Sequence, residues 1–256
     1  MKVISRTTPC VTEAKKMAFK PRDRKMTEEE KMSKLELWRP KTELGRRVKS
    51  KEITDIAEII ESGHRIMEAE IVDMLIPDLE TDFILIGQAK GKFGGGKRRI
   101  FRQTQKKTKE GNKPVFSVMA VVGKDGYVGI GIGRAKETMP SRDKAVRNAK
   151  LNLTQISRGC GSWQCTCGEP HSIPFKMEGK EASVEVKFMP APKGTGLVIE
   201  NEIKKIFRLA GIKDVWCKTK GQSTQKTNLV SATMKALKQG TRQRVVNCNL
   251  KYGSIY

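Results

Sequence analysis

Four side chains able to hold a metal fall within residues 160–171: Cys160, Cys165, Cys167 and His171, spaced Cys-x4-Cys-x-Cys-x3-His. Three thiolates and one imidazole match a closed tetrahedral zinc site. Four protein ligands leave no coordination position for a substrate, so the zinc would be structural. It would staple a junction with little apolar sequence of its own. The one-residue gap between Cys165 and Cys167 is less usual than Cys-x2-Cys. A second reading stays open, in which the cysteines are small packed residues and His171 caps a turn.

The other strong chemical signal is charge. Residues 87–113 carry ten Lys and Arg against one acid. Lys90, Lys92, Lys97, Arg98, Arg99, Arg102, Lys106, Lys107 and Lys109 are interleaved with Phe93 and Phe101, around Gly94-Gly95-Gly96. Such a stretch suits a flexible basic loop that neutralises phosphates by counterion release. Its two aromatic rings are suited to stacking on unpaired bases. Arg134 and Lys136 follow the alternating glycines Gly129, Gly131 and Gly133, which share one face of a strand. A face without side chains admits either a phosphate ribbon or another segment of the chain. Lys193 sits in Pro192-Lys-Gly-Thr-Gly196, a loop suited to a backbone contact with an RNA phosphate. Lys220, just after a short strand, completes the expected RNA-binding set.

Enzymatic signals are weak. The loop at 192–196 lacks the spacing and the Lys-Ser/Thr order of a nucleotide-phosphate loop, and the glycine strand is a poor dinucleotide fingerprint. His64 and His171 are the only histidines, and no nucleophile–base arrangement can be assembled around them. The chain is expected not to be an enzyme.

The elements that position these groups follow from composition and pattern. The 256 residues carry a net charge of +23 with 37% apolar residues, which is enough for a core. No apolar run reaches the ~18 residues of a membrane span, and no apolar secretory segment opens the chain. Six cysteines in this length do not make a disulfide scaffold, so a reducing cytosol is expected. The basic excess points to a polyanion, with nucleic acid ahead of an acidic membrane surface. It is uneven: residues 53–86 carry one cation and nine acids.

The expected organisation is a basic extension at 1–52 and an acidic helical clip at 53–80. A domain at 81–157, a Cys/His junction at 158–171 and a second domain at 172–256 follow. Strands are expected at 83–86, 115–122 and 127–133, with a hairpin turn at Asp125-Gly126 and a helix at 140–156. Further strands are expected at 172–176, 183–188 and 214–219. Helices are expected at 201–210 and 227–238, the last stopped at Gly240. The fold class is α+β, with two small α/β domains.

Several motifs together resemble one family. Val121-Val-Gly-Lys-Asp-Gly-Tyr-Val-Gly-Ile-Gly-Ile-Gly-Arg-Ala-Lys-Glu137 is similar to the signature of the S-five family of small-subunit ribosomal proteins. Arg158-Gly-Cys-Gly-Ser-Trp-Gln-Cys-Thr-Cys-Gly-Glu-Pro-His171 resembles the Cys/His insertion of its archaeal-type branch. Pro190-Ala-Pro-Lys-Gly-Thr-Gly-Leu197 and Ala210-Gly-Ile-Lys-Asp-Val-Trp216 resemble its second domain. Trp38-Arg-Pro-Lys-Thr-Glu-Leu-Gly45 resembles the branch's N-terminal extension. The resemblance implies a double-stranded-RNA-binding-like first domain and a β-α-β second domain. It implies a structural constituent of the small ribosomal subunit, in the cytoplasm, bound to small-subunit rRNA near the decoding region. Neighbours would be the fourth and eighth proteins of that subunit, with messenger RNA close by. The family's role is in subunit assembly and translational accuracy. The alternative is a free RNA-binding regulator or chaperone with a zinc-stabilised module.

Overall fold

The computed structural model describes residues 37–88 and 98–242, the last two of these by backbone only. Lys90, Lys92, Phe93, the three glycines after it and Lys97 lie outside the described residues, as do residues 1–36 and 243–256. The described residues from Arg39 onward form one compact unit.

Three short helices come first: α1 (Glu43–Lys49), α2 (Ile56–Glu61) and α3 (Ala69–Leu75). Thr42 caps α1 by accepting from the Gly45 N–H at 3.1 Å. The Glu68 carboxylate accepts from the backbone N–H groups of Lys41 and Thr42, at 2.9 and 2.7 Å, so an acid of the clip holds the entry to this helix. Ile71 and Val72 of α3 are buried, and Pro77 follows its end.

The first sheet contains β1 (Glu80–Ile84), β2 (Arg102–Thr108), β3 (Gly111–Lys124), β4 (Tyr127–Ala135) and β5 (Thr154–Gln155). It is antiparallel, in the order β1-β3-β4-β5, with β2 also pairing to β3. The 14-residue β3 is long enough to carry β2 along its first half and β1 along its second, on the same edge. Lys124 pairs with Tyr127 across the two-residue turn. Asp125 and Gly126 both have positive φ, 31° and 98°, as the expected Asp-Gly hairpin requires.

Helix α4 (Thr138–Leu151) lies on one face of this sheet. Ala145 and Ala149 are fully buried there against Val118, Ala120 and Val122. The three alternating glycines make this approach possible. A Cβ on Gly129, Gly131 or Gly133 would lie 2.1–2.2 Å from backbone atoms of α4. Of the two occupants expected for that face, the chain's own helix fills it, and no phosphate ribbon fits there. The buried Ser141 hydroxyl donates to the Phe116 and Gly133 carbonyls at 3.0 and 3.1 Å. Asn148 donates to the Ile132 carbonyl at 2.8 Å. The acidic clip docks on the outer side of this helix, where Asp73 meets Lys150 at 2.6 Å.

The second sheet runs β6 (Met177–Glu181), β7 (Val184–Pro190), β9 (Val215–Lys220) and β8 (Leu197–Val198) in spatial order. Strands β8 and β9 are parallel, joined by α5 (Asn201–Leu209), which supplies the expected β-α-β unit. Helix α6 (Lys226–Arg242) closes the described chain. One core spans both sheets: Ile84, Met119, Val121 and Val128 of the first pack in a cluster with Val186, Phe188 and Val215 of the second and with Ile203, Phe207 and Leu229 of helices α5 and α6.

Four expectations change. The helix expected over 140–156 ends at Leu151, and Thr154–Gln155 pairs instead as strand β5 with β4. Residues 102–113 form a hairpin rather than a loop. Residues 172–176 contain no strand, only a single bridge from Ser172 to Gly159, and the strand starts at Met177. Gly240 does not stop α6. It is a packing glycine, whose Cβ would lie 2.4 Å from the Met177 methyl.

Candidate metal centre and nucleic-acid interface

The segment from Gly159 to Pro170 has almost nothing apolar to fold around. Ser162 is its single buried residue, and Trp163 at its tip is 89% exposed. Its backbone is stitched to the following segment by Gly159–Ser172 hydrogen bonds at 2.9 Å in both directions and by Gly161 N–H to the Ile173 carbonyl at 3.3 Å. Within this frame all four expected ligands converge. The Sγ atoms of Cys160, Cys165 and Cys167 and a ring nitrogen of His171 all lie within 4.8 Å of one another. Cys165 Sγ is 3.1 Å from Cys167 Sγ and 3.6 Å from His171 Nε2. Cys167 Sγ is 3.6 Å from Cys160 Sγ. Four Zn–ligand bonds of about 2.0–2.3 Å around a tetrahedron need donors about 3.3–3.8 Å apart. The donor set suits zinc, and its separations, from 3.1 Å to at most 4.8 Å, bracket that range.

The surroundings prepare these groups to bind. The hydrogen bond with Cys167 and the backbone N–H groups of Lys193 and Cys167 hold the Cys165 thiol down at about 6. Burial and the neighbouring sulfurs push the Cys160 thiol up to about 12. A metal cation reverses that second effect by stabilising the thiolate directly.

Asp214 is the residue that sequence spacing does not reveal. Its Oδ2 lies 2.9 Å from His171 Nδ1, and both side chains are buried. Its Oδ1 accepts the Gly196 N–H at 2.7 Å. An ionised carboxylate only accepts, so Nδ1 carries the ring proton and Nε2 turns a lone pair toward the thiols. The Gly-rich loop is also committed here, because its Gly196 N–H serves Asp214. Replacing Asp214→Asn would put an amide N–H₂ against Nδ1 or reverse the loop contact. Zinc affinity should fall about 10- to 100-fold, read by competition with a colorimetric chelator. Unchanged affinity would show that the carboxylate does not set the tautomer.

The basic groups form a second surface. Arg102 pairs with Ser117, and Ser117 with Arg134, so both arginines stand on the same face, two strands apart, or about 10 Å. Lys106 continues this face directly opposite Lys113. Lys107 points to the other face of the ribbon, and Lys109 lies in its turn. Arg102, Lys106, Lys107, Lys109, Lys113, Arg134 and Lys136 are all exposed. Like charges directly opposite in a sheet repel, and a polyanion laid along the ribbon relieves that repulsion. Lys113, which also pairs with Glu110, joins this face only through the hairpin register.

At the ribbon's base Arg98 and Arg102 line a groove of about 530 Å³ with residues 224–227 at the start of α6. Arg99 is exposed, and its carbonyl accepts the Gly87 N–H at 2.7 Å, which sets these two residues side by side. Lys193 and Lys220 belong to the second sheet and its loops. Lys193 meets Glu169 at 2.7 Å, and Lys220 stands opposite Glu185 across β7 and β9.

Comparison with known proteins agrees with this architecture. Residues 100–157 match the family model "Ribosomal protein S5, N-terminal domain", and residues 179–246 match "Ribosomal protein S5, C-terminal domain". The chain is 50% identical over 222 residues to the small ribosomal subunit protein uS5 of Nanoarchaeum equitans, covering 86% of this chain and 95% of that one. It is 47% identical to the protein of the same name from Pyrobaculum islandicum, over 80% of this chain and 94% of that one. The corresponding protein of Methanothermobacter thermautotrophicus is 46% identical, over 85% and 94%. A likeness of this depth runs through the glycine strand, the Cys/His segment and the β-α-β unit together, and the chain belongs to the ribosomal protein S5 family.

Proposed function

We propose that this chain is a structural, rRNA-binding constituent of the small ribosomal subunit and acts in the cytoplasm as part of that particle rather than as an enzyme. The observation that carries the reading is the exposed basic ribbon of β2 and β3 with Arg134 beside it, on a chain of this family. Arg102, Lys106, Lys113 and Arg134 line one exposed face while the opposite end of the same sheet face is buried in the core. A rigid body thus holds out a charged arm. Contacts near the decoding region and the path of the messenger follow from the family resemblance. So do the fourth and eighth small-subunit proteins as neighbours, and a part in assembly and accuracy. Zinc, held by Cys160, Cys165, Cys167 and His171, is the structural ion of the junction.

The test is residence. Small subunits purified through a high-salt gradient should retain the chain in proportion to their other proteins. Its loss to the free pool, with neighbouring proteins retained, would favour a free RNA-binding regulator instead.

The basic segment before the ribbon has its own expected result. Replacing Lys97, Arg98 and Arg99 together by Ala should weaken rRNA binding and flatten the plot of log affinity against log salt by about 2–3, since each lost phosphate contact removes about 0.7–0.9. An unchanged slope in a salt titration would mean these side chains are merely solvated.

A further inference from the structure

Strands β2 and β3 run side by side from the Arg102–Ser117 pair to the Thr108–Gly111 pair, a distance of about 20 Å. From Phe116 toward the tip, β4 no longer pairs with β3, so the two strands project as an arm. The register sorts their side chains by face. Arg102, Lys106 and Lys113 stand on one face, with Arg134 beside them. The reverse face carries Gln103, Gln105, Asn112, Pro114 and Phe116, with Lys107 as its one cation. An arm that only coats phosphates does not require this separation of charge.

The reverse face continues the side of the sheet that α4 covers, but the helix ends before it does. Helix α4 begins at Thr138, and its Ser141 hydroxyl reaches the Phe116 carbonyl. Past that point Gln103, Gln105, Asn112 and Pro114 are exposed, and Phe116 is half-buried. The side-chain amides of Gln103, Gln105 and Asn112 make no hydrogen bond among the described residues, whereas Thr104 and Thr108 of the cationic face close onto the Val115 and Gly111 carbonyls at 3.3 and 2.7 Å. Gln103 lies directly opposite Phe116, and Gln105 directly opposite Pro114. Residues so paired are about 5 Å apart at Cβ, so each glutamine has a flat apolar neighbour. The two stations are about 7 Å apart along the strand, about twice the ~3.4 Å between stacked bases. Each therefore fits one base splayed out of its stack.

We propose that this reverse face reads unpaired rRNA bases, with Gln103, Gln105 and Asn112 hydrogen-bonding base edges beside Phe116 and Pro114, while the cationic face holds phosphates. The proposal rests on the ribosomal reading above and deepens it from binding to sequence recognition. A carboxamide offers a donor and an acceptor side by side, which matches a base edge, adenine's best. Sequence-specific recognition of RNA works on such unstacked bases, because the deep groove of an A-form helix is closed to side chains. A protein surface is the competing occupant. Protein docking draws most of its energy from buried aromatic and apolar anchors, and Pro114 is the one exposed apolar side chain on this face.

The experiment uses the full-length chain with two transcripts, small-subunit rRNA and an RNA of the same length and composition in shuffled order. Affinity for each is measured across a salt series. The parent should prefer the native sequence. The variant Gln103→Ala, Gln105→Ala, Asn112→Ala should lower that preference about 10-fold or more and leave the salt slope unchanged. The variant Arg102→Ala, Lys106→Ala, Lys113→Ala should weaken binding to both RNAs, lower the slope by about 2–3 and keep the preference. Matching thermal midpoints for all three proteins keep folding out of the comparison. An unchanged preference in the amide variant overturns the proposal, as does a parent that binds both transcripts equally. An unchanged preference together with loss of a neighbouring protein from reconstituted subunits overturns it too, and assigns the face to protein. Failure of the parent to bind either RNA would overturn the ribosomal reading instead, and the parent arm alone reveals it.

Discussion

Freshly purified protein should carry one zinc ion per chain, and Cys165→Ser should abolish that stoichiometry. Cys165 is the ligand to remove because its sulfur is nearest both Cys167 Sγ and His171 Nε2. Its thiol, held at about 6, is also the one most ready to be a thiolate near neutral pH. A serine hydroxyl in its place keeps the shape but is a poor zinc donor. The consequence should be local and large. Structural zinc supplies ~10–16 kcal/mol in small zinc-finger peptides, which have little else to fold around. The 159–170 segment is in the same position, since it buries one serine and no apolar side chain. The rest of the chain keeps its core across both sheets. Limited proteolysis should therefore cut the variant, or the chelated parent, within residues 159–170, while the body stays resistant. Metal analysis that finds no zinc in fresh protein would reject the site, and the packed-cysteine reading would then stand.

The ligands of that centre are legible in the sequence because they lie close together along the chain. Asp214, 43 residues from His171, is not, because only the fold at the start of β9 brings the carboxylate to Nδ1. The same difference between local and long-range information separates the strands that periodicity reveals from the one it hides. Val115–Val122 has a buried half and reads as a strand at once. Arg102–Thr108 is exposed along nearly its whole length, so no apolar alternation marks it. Its pairing is imposed by the continuity of β3 with the buried residues 118–122. Ser172–Lys176 misleads in the opposite way, because its apolar residues serve as a seam for the Cys/His segment. A Cβ on Gly161 would lie 2.0 Å from the Pro174 carbonyl oxygen. Gly240 reads as a helix stop, but a glycine within a helix's last turn can equally mark a close approach, and here Met177 occupies the space.

That ambiguity of glycine makes the second large effect a sharp one. Gly131→Ala should destabilise the protein by about 3 kcal/mol, at the upper end of overpacking costs. Local propensity argues the other way, because Ala in place of Gly in a strand gains ~0.5–1 kcal/mol. Space decides the sign. The added methyl would lie 2.2 Å from Ala149 N, 2.4 Å from the Ala145 carbonyl oxygen and 2.6 Å from the Asn148 carbonyl carbon. All three are backbone atoms of α4, so relief requires the whole helix to move off the sheet. That movement would loosen the Ser141 and Asn148 hydrogen bonds to β4 as well. For a chain of this size the loss corresponds to a fall of roughly 6–12 °C in Tm, measured by thermal unfolding. Gly194→Ala is the informative companion. Its φ is 92° but nothing lies within 4 Å of its Cβ position, so it suffers backbone strain alone, of about 1 kcal/mol. A Gly131→Ala protein as stable as the parent would mean that α4 does not seat on these glycines. At temperatures where the variant is still folded, its salt slope for rRNA should match the parent's, because the glycine face meets the chain's own helix and not a phosphate.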